Sequence, residues 1–262
     1  MTTSSMIPTS HTPHAGTKFR SGEKVNILHV GIDRIKYSAL FETVERLVEH
    51  GNATMTYVNV HVLNTAVHDQ PLRAFLNGVN LCYCDGEGVR LGARLLGEEL
   101  PEKMTAADFI WDFAARAEGR WRLFWIAGTP GVAAAAAARL RERYPRLQVE
   151  TEHGFHTDHN ALLTRVNAAH PDIVFVGMGT PIQEHWVAAH RAHIEAPLVW
   201  VIGGTADILS GELWRGPAWL CRRQEWLARL IAAPRRVWRR YLIGNALFLA
   251  RVLRGRFFGT RY

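Results

Sequence analysis

With 262 residues, 48% of them hydrophobic, the chain can bury one sizeable core, as one large domain or two small ones. No apolar run reaches the roughly 20 residues of a bilayer crossing, and the Ser-, Thr- and Pro-rich residues 1–24 lack the apolar region of a secretory signal, so no transmembrane helix is predicted and the cytoplasm is expected. The net charge of +7 is uneven: residues 214–262 hold twelve Arg, no Lys and one acid, Glu225, for +11, leaving −4 on residues 1–213.

After the leader, residues 25–30 alternate apolar and polar like a strand, and residues 37–50 carry Leu40, Val44, Leu47 and Val48 at helical spacing. Residues 55–63 read as a strand containing Asn59, residues 71–77 as a short helix, and residues 80–84 as a strand ending at Asp85-Gly86. A helical pattern resumes over 88–96. The middle is clearer: the apolar strand 122–127 runs through Gly128-Thr129-Pro130-Gly131 into the Ala-rich helix 132–144. Strands at 147–151, 172–176 and 198–202 then alternate with helices at 161–169 and 183–193. Apolar strands alternating with helices predict a parallel sheet covered on both faces.

Beyond Trp214 the strand pattern stops and Arg and large apolar residues recur at helical spacing. Arg235, Arg236, Arg239 and Arg240 fall on one helical face beside a stripe of Val237, Trp238, Tyr241, Leu242, Asn245 and Phe248. Such a helix suits an anionic lipid surface, and equally an ordinary packed helix with a solvated basic face.

In open α/β sheets ligands sit at the carboxyl ends of the strands. Asp85, Thr129, Thr180, Gln183 and Asp207 follow predicted strands. An Asp there can deprotonate an acceptor hydroxyl, although Asp-Gly is also a common turn. Glycines at Gly128-x-x-Gly131 and Gly177-x-Gly179 let backbone amides approach a phosphate. Neither completes the dinucleotide fingerprint, since Ile182 stands where its third glycine would be, which disfavours a dehydrogenase. His153, His156 and His159 lack the paired spacing of a metal helix and sit around a predicted loop, and Cys82, Cys84 and Cys221 read as reduced thiols that complete no zinc site.

Taken in order, several segments resemble the WecG/TagA/CpsF glycosyltransferases, glycosyltransferase family 26. They are Val30-Gly-Ile-Asp33, Asn59, Asp85-Gly-Glu-Gly-Val89, Arg94-Leu-Leu-Gly97 with Leu100-Pro-Glu102, His153-Gly-Phe155, Pro171-Asp172, and Val176 through Thr180-Pro-Ile-Gln183-Glu184. Gly203-Gly204, Arg215-Gly-Pro217, Glu225-Trp-Leu, and Pro234 with Arg239-Arg-Tyr241 complete the set.

The resemblance implies a Rossmann-like, mostly parallel sheet with helices on both faces in residues 25–213, and a basic helical appendage in residues 214–262. It implies inverting transfer from a UDP-sugar to a polyprenyl-diphosphate-linked sugar, without metal or cofactor, in assembly of a surface polysaccharide or wall polymer. The enzyme would sit peripherally on the inner face of the cell membrane. The family's base falls on Asp85 and its amide on Gln183, and the basic tail on the arginines after Pro234. The substrate site is expected from Asn59, Gly128, Thr129, Gly177, Gly179, Thr180, Gln183, Glu184, Gly204, Asp207, Arg215, Arg235, Arg239 and Arg240. Where the family has a Thr two residues before this Asn, the chain has Tyr57, which points to a different sugar. A nucleic-acid-binding module or a nucleotide-binding oxidoreductase is the alternative; the former leaves Asp85 and Gln183 without a task, and no nucleic-acid partner is expected.

Overall fold

In a computed structural model of the protein, the described residues are 22–216, 227–228, 230–231 and 234–258. Nearly all of the predicted leader, Pro217, Cys221, Glu225 and Trp226 lie outside them. The strands β3 (Ala53–Val58), β4 (Leu81–Cys84), β5 (Arg122–Ala127), β6 (Gln148–Glu152), β7 (Ile173–Gly177) and β8 (Leu198–Val201) form one sheet in the order β4-β3-β8-β7-β5-β6. Every neighbouring pair is parallel. All six carboxyl ends therefore share one edge. Helices cover both faces, giving the Rossmann-like α/β fold that the alternating pattern predicts.

Strand alternation divides the core. In β4, Leu81 and Tyr83 pack with α1 (Tyr37–His50), α5 (Ala106–Ala117) and α6 (Val132–Arg143). Cys82 and Cys84, buried free thiols, face the opposite layer with α2 (Val60–Ala66), α3 (Gln70–Gly78) and α4 (Glu87–Leu95). Near the other edge Leu162 of α7 (His159–Ala168) and Val187 of α8 (Ile182–His190) cover Val174 and Val176 of β7.

Three expectations change. Residues 25–30 are not one strand: β1 (Lys24–Ile27) turns back through Leu28 and His29, with φ of 50° and 64°, to pair antiparallel with β2 (Val30–Asp33). This hairpin is tied to the sheet by Asp33, whose Oδ2 accepts the Cys82 amide at 2.7 Å and pairs with Lys24 at 3.2 Å. Residues 55–63 are not one strand either, because β3 stops at Val58 and Asn59 caps α2 by accepting the Val62 amide at 3.1 Å. Short apolar runs fit either period, and here a capping side chain decides. The helices α5 and α9 (Thr205–Ser210) are additions to the elements that the periodicity predicts.

At the C-terminal end α10 (Pro234–Trp238) enters a π-helical turn (Arg239–Ile243) and continues as α11 (Gly244–Phe258). The π turn rotates α11 relative to α10, so the predicted stripe divides: Trp238 and Leu242 are exposed, while Phe248 is buried, beside Val252, among α2 and α4. A Cβ on Gly92 of α4 would stand 2.6 Å from Phe248 Cζ, so the bare backbone there admits the ring. Asn64 of α2 donates to the Gly244 carbonyl at 2.7 Å and accepts from Arg251 at 2.8 Å.

Candidate active site

The carboxyl edge of the sheet opens into a cleft of about 1150 Å³, walled on its far side by α11 and the π turn. Parallel β-α connections bring helix N-termini to this same edge, which favours an anion. Glu87 and Gly88 open α4 in the cleft wall, and Gly128, Thr129 and Val132 lead into α6.

Asp85 follows β4, and its amide donates to the Val58 carbonyl at 2.8 Å, extending the ladder one step. Its side chain lines the cleft between two donors: Thr105 Oγ at 2.7 Å on Oδ1 and Asn59 Nδ2 at 3.4 Å on Oδ2. Asn59 is held by its own cap, since its Oδ1 faces the helix amide and its Nδ2 is thereby turned towards Asp85. Thr105 occupies the N-cap position of α5 but makes no side-chain cap there. Both partners donate, so the Asp85 carboxylate is presented as an acceptor.

Opposite, Gly177, Gly179 and Thr180 after β7 and Gly204 and Asp207 after β8 line the cleft. Two of these loops approach at backbone distance: a Cβ on Gly177 would lie 2.3 Å from the Gly203 carbonyl oxygen. Gly203, at φ +59°, has the Tyr57 hydroxyl where its Cβ would point, at 2.4 Å. Tyr57 thus crosses from β3 to the β8–α9 turn. Burial, then the nearby Glu184 and Asp85, push its hydroxyl pKa up to about 12, so it is a neutral donor.

Gln183 and Glu184 stand behind this wall with no exposure, joined to Tyr57 and Thr180 by hydrogen bonds. Arg240 lines the cleft from the π turn. Arg239 is exposed with its guanidinium 5.3 Å from the Trp238 ring centre, outside the lining. Arg215 is paired with both oxygens of Asp108 and also stands outside the lining. Arg235 lies in α10, and its side chain is outside what is described.

The structure adds residues to which sequence reasoning gave no role in the site. Thr105, His61, Arg94 and Lys103 line the cleft, and Phe155 is exposed at its rim. Burial and then Arg240 push His61 down to about 4, so its imidazole is neutral. The sequence signal for Thr105 is only a Thr ahead of an apolar helix; nothing local ties it to Asp85.

Among the described residues, Glu152, His153 and His156 have metal-ligand atoms within 4.8 Å of one another. The two rings stack at 3.9 Å and 7°, so their in-plane lone pairs cannot converge on a single ion. Glu152 is also engaged by His156 and Arg165. As arranged, the cluster is a hydrogen-bonded loop anchor rather than a formed metal site.

A sequence model of the family described as "Glycosyl transferase WecG/TagA/CpsF family" matches residues 25–262. Similar curated proteins from Staphylococcus aureus strains NCTC 8325 / PS 47, COL and MSSA476 are each named N-acetylglucosaminyldiphosphoundecaprenol N-acetyl-beta-D-mannosaminyltransferase. Each is 25% identical over 223 residues, covering 82% of this chain and 87% of the relative.

Proposed function

Because this chain belongs to the WecG/TagA/CpsF glycosyltransferase family, we propose that it moves a hexose or N-acetylhexosamine from a UDP-sugar to a polyprenyl-diphosphate-linked sugar. The observation that carries the reading is Asp85, held between Asn59 and Thr105 in the wall of a cleft whose other side is glycine turns and helix N-termini. Asp85 takes the proton of the acceptor hydroxyl, the acceptor oxygen forms a bond to the donor's C1, and the C1–phosphate oxygen bond breaks to release UDP. Charge developing on the diphosphate is met by amides near Gly128, Gly177, Gly179 and Gly204 and by Arg240 and Lys103. A single displacement inverts C1, which agrees with the β-linkage in the relatives' names if the nucleotide sugar is α-linked.

The relatives' acceptor carries N-acetylglucosamine on diphosphoundecaprenol, and a polymer of the cell surface or wall is the natural product of such chemistry. No helix among the described residues is long and apolar enough to cross a membrane. We place the enzyme peripherally on an anionic membrane face, with exposed Trp238, Leu242, Ile243 and Leu247 beside Arg239 as the contact.

The test offers a panel of UDP-sugars with a synthetic prenyl-diphosphate N-acetylglucosamine, with products read by mass spectrometry and anomeric NMR. One donor is expected to give a β-linked disaccharide, and turnover is expected to persist in EDTA. Retention at C1, or activity that EDTA abolishes and magnesium restores, overturns the mechanism.

A further inference from the structure

Behind the Tyr57–Thr180 wall, the first turn of α8 carries two consecutive polar side chains, Gln183 and Glu184, both with zero exposure. A charge buried this deeply is costly unless a cation compensates it. None does among the described residues: Glu184 makes no ion pair, and the neighbouring His185 imidazole is itself held 2.8 Å from Asp69 of α3. The groups that feel Glu184 from the sheet are the Tyr57 phenol on β3 and the Cys82 thiol on β4, both pushed up by burial and so neutral.

The hydrogen bonds have a definite direction. Glu184 Oε1 accepts from Thr180 Oγ and from Gln183 Nε2, each at 2.8 Å. Its Oε2 is buried with no hydrogen-bond partner. The Gly179 amide can only donate, so Gln183 Oε1 faces it at 3.2 Å and Nε2 must face Glu184, Thr180 at 3.2 Å and Tyr57 at 3.4 Å. One carboxyl group thus orients both an amide and a hydroxyl against the cleft.

We propose that Glu184 is a positioning residue, retained as a neutral carboxylic acid, that sets the Gln183 carboxamide and the Thr180 hydroxyl at the donor side of the cleft. Burial raises its carboxyl above the ordinary glutamate range and outweighs the hydrogen bonds from Gln183, Thr180 and its own amide, which favour the charged form. As a neutral acid it accepts both hydrogen bonds at ordinary strength. Once ionised it draws both donors onto itself and places an uncompensated charge under the wall. An acid raised in the folded state contributes stability below its unfolded pKa and loses it as pH rises through the folded value, so ionisation of Glu184 works against the wall on the alkaline side.

The activity readout rests on the glycosyl-transfer reading, whereas the spectroscopic one does not. In neutral buffer, the infrared difference between wild type and Glu184→Gln should contain the carbonyl stretch of a protonated carboxylic acid. Glu184→Gln, neutral and of the same shape, should keep the wild-type melting temperature and turnover within about threefold, and lose the alkaline decline of the wild-type pH profile. Glu184→Ala should lower kcat by about tenfold to a hundredfold, the scale of a misplaced contact. The proposal is overturned if the infrared bands are those of a carboxylate, if folded Glu184→Gln falls as far as Glu184→Ala, or if Glu184→Ala turns over normally. Should the wild type form no product with any donor, the glycosyl-transfer reading fails, and the infrared band still decides the state of Glu184.

Discussion

Asn59 links two tasks that usually fall to different side chains: its oxygen caps α2, and its amide nitrogen reaches Asp85. The geometry of a helix cap thereby orients the proposed base. Asp85→Asn preserves the shape and both neighbours but cannot take a proton, so turnover should fall by about 10²- to 10⁴-fold with UDP-sugar binding retained. A stopped-flow or steady-state assay alongside calorimetric UDP binding checks this; near wild-type turnover removes Asp85 from the mechanism. Asp85 was legible because Asp-Gly comes directly after an apolar strand. Thr105 was not, because a long stretch of chain separates it from Asp85 and only the packing of α5 beside β4 brings its hydroxyl within 2.7 Å.

At the scale of elements, several of the family-like runs prove to be joinery. Glu102 accepts the Tyr37 amide at 2.7 Å at the start of α1, and Asp172 accepts the Arg122 amide at 2.7 Å beneath β5. The Gly154 amide donates to the Gly128 carbonyl at 2.8 Å, tying the β6 loop to the β5 turn. Asp69, outside those runs, joins two helices, accepting the Leu72 amide at 2.9 Å in α3 and meeting His185 of α8 at 2.8 Å. Partial burial opposes its charge, but the Leu72 amide and His185 leave its carboxyl below the ordinary range. A depressed carboxyl contributes stability above its unfolded pKa and loses it as pH falls through the folded value. Asp69→Ala should therefore lower stability at neutral pH by about 1 kcal/mol, the usual cost of a lost cap, with a smaller deficit in acid. Urea titrations at neutral and acidic pH measure both; an equal deficit at both assigns the loss to shape alone.

Over the whole molecule, the cleft is completed by a segment distant in sequence. Phe248 and Val252 seat α11 on α2 and α4, and that seat carries the π turn whose Arg240 enters the cleft. Phe248→Ala removes the anchor, a change that costs about 3–5 kcal/mol in a well-packed core. We expect kcat/KM to drop at least tenfold, on the order of the 1.4 kcal/mol that each factor of ten represents, while circular dichroism retains the α/β signature. Unchanged turnover would separate the helix from the working site. The same segment presents Trp238, Leu242 and Arg239 outward. Replacing Arg235, Arg236 and Arg239 with Gln, leaving the cleft's Arg240 in place, should abolish sedimentation with anionic vesicles in low salt, each such charge contributing about 1 kcal/mol. Persistent sedimentation of that variant in moderate salt rules the tail out as the anchor.

What the sequence determined by itself is whatever short-range physics writes into neighbouring residues. Apolar strands alternating with helices specify a parallel sheet, and glycines and an Asp after those strands mark its carboxyl edge as the place for ligands. Only the tertiary structure decided the rest. Whether residues 59–63 continue a strand or start a helix depended on Asn59 finding an amide to cap. Glu184 became a buried acid because Thr180 of a loop and Gln183 of a helix donate to it, and no ion pair reaches it among the described residues. Arg215 and Arg240 look alike in sequence, yet one is spent on Asp108 and the other faces the cleft. Such assignments depend on distances between segments far apart along the chain, which local pattern does not carry.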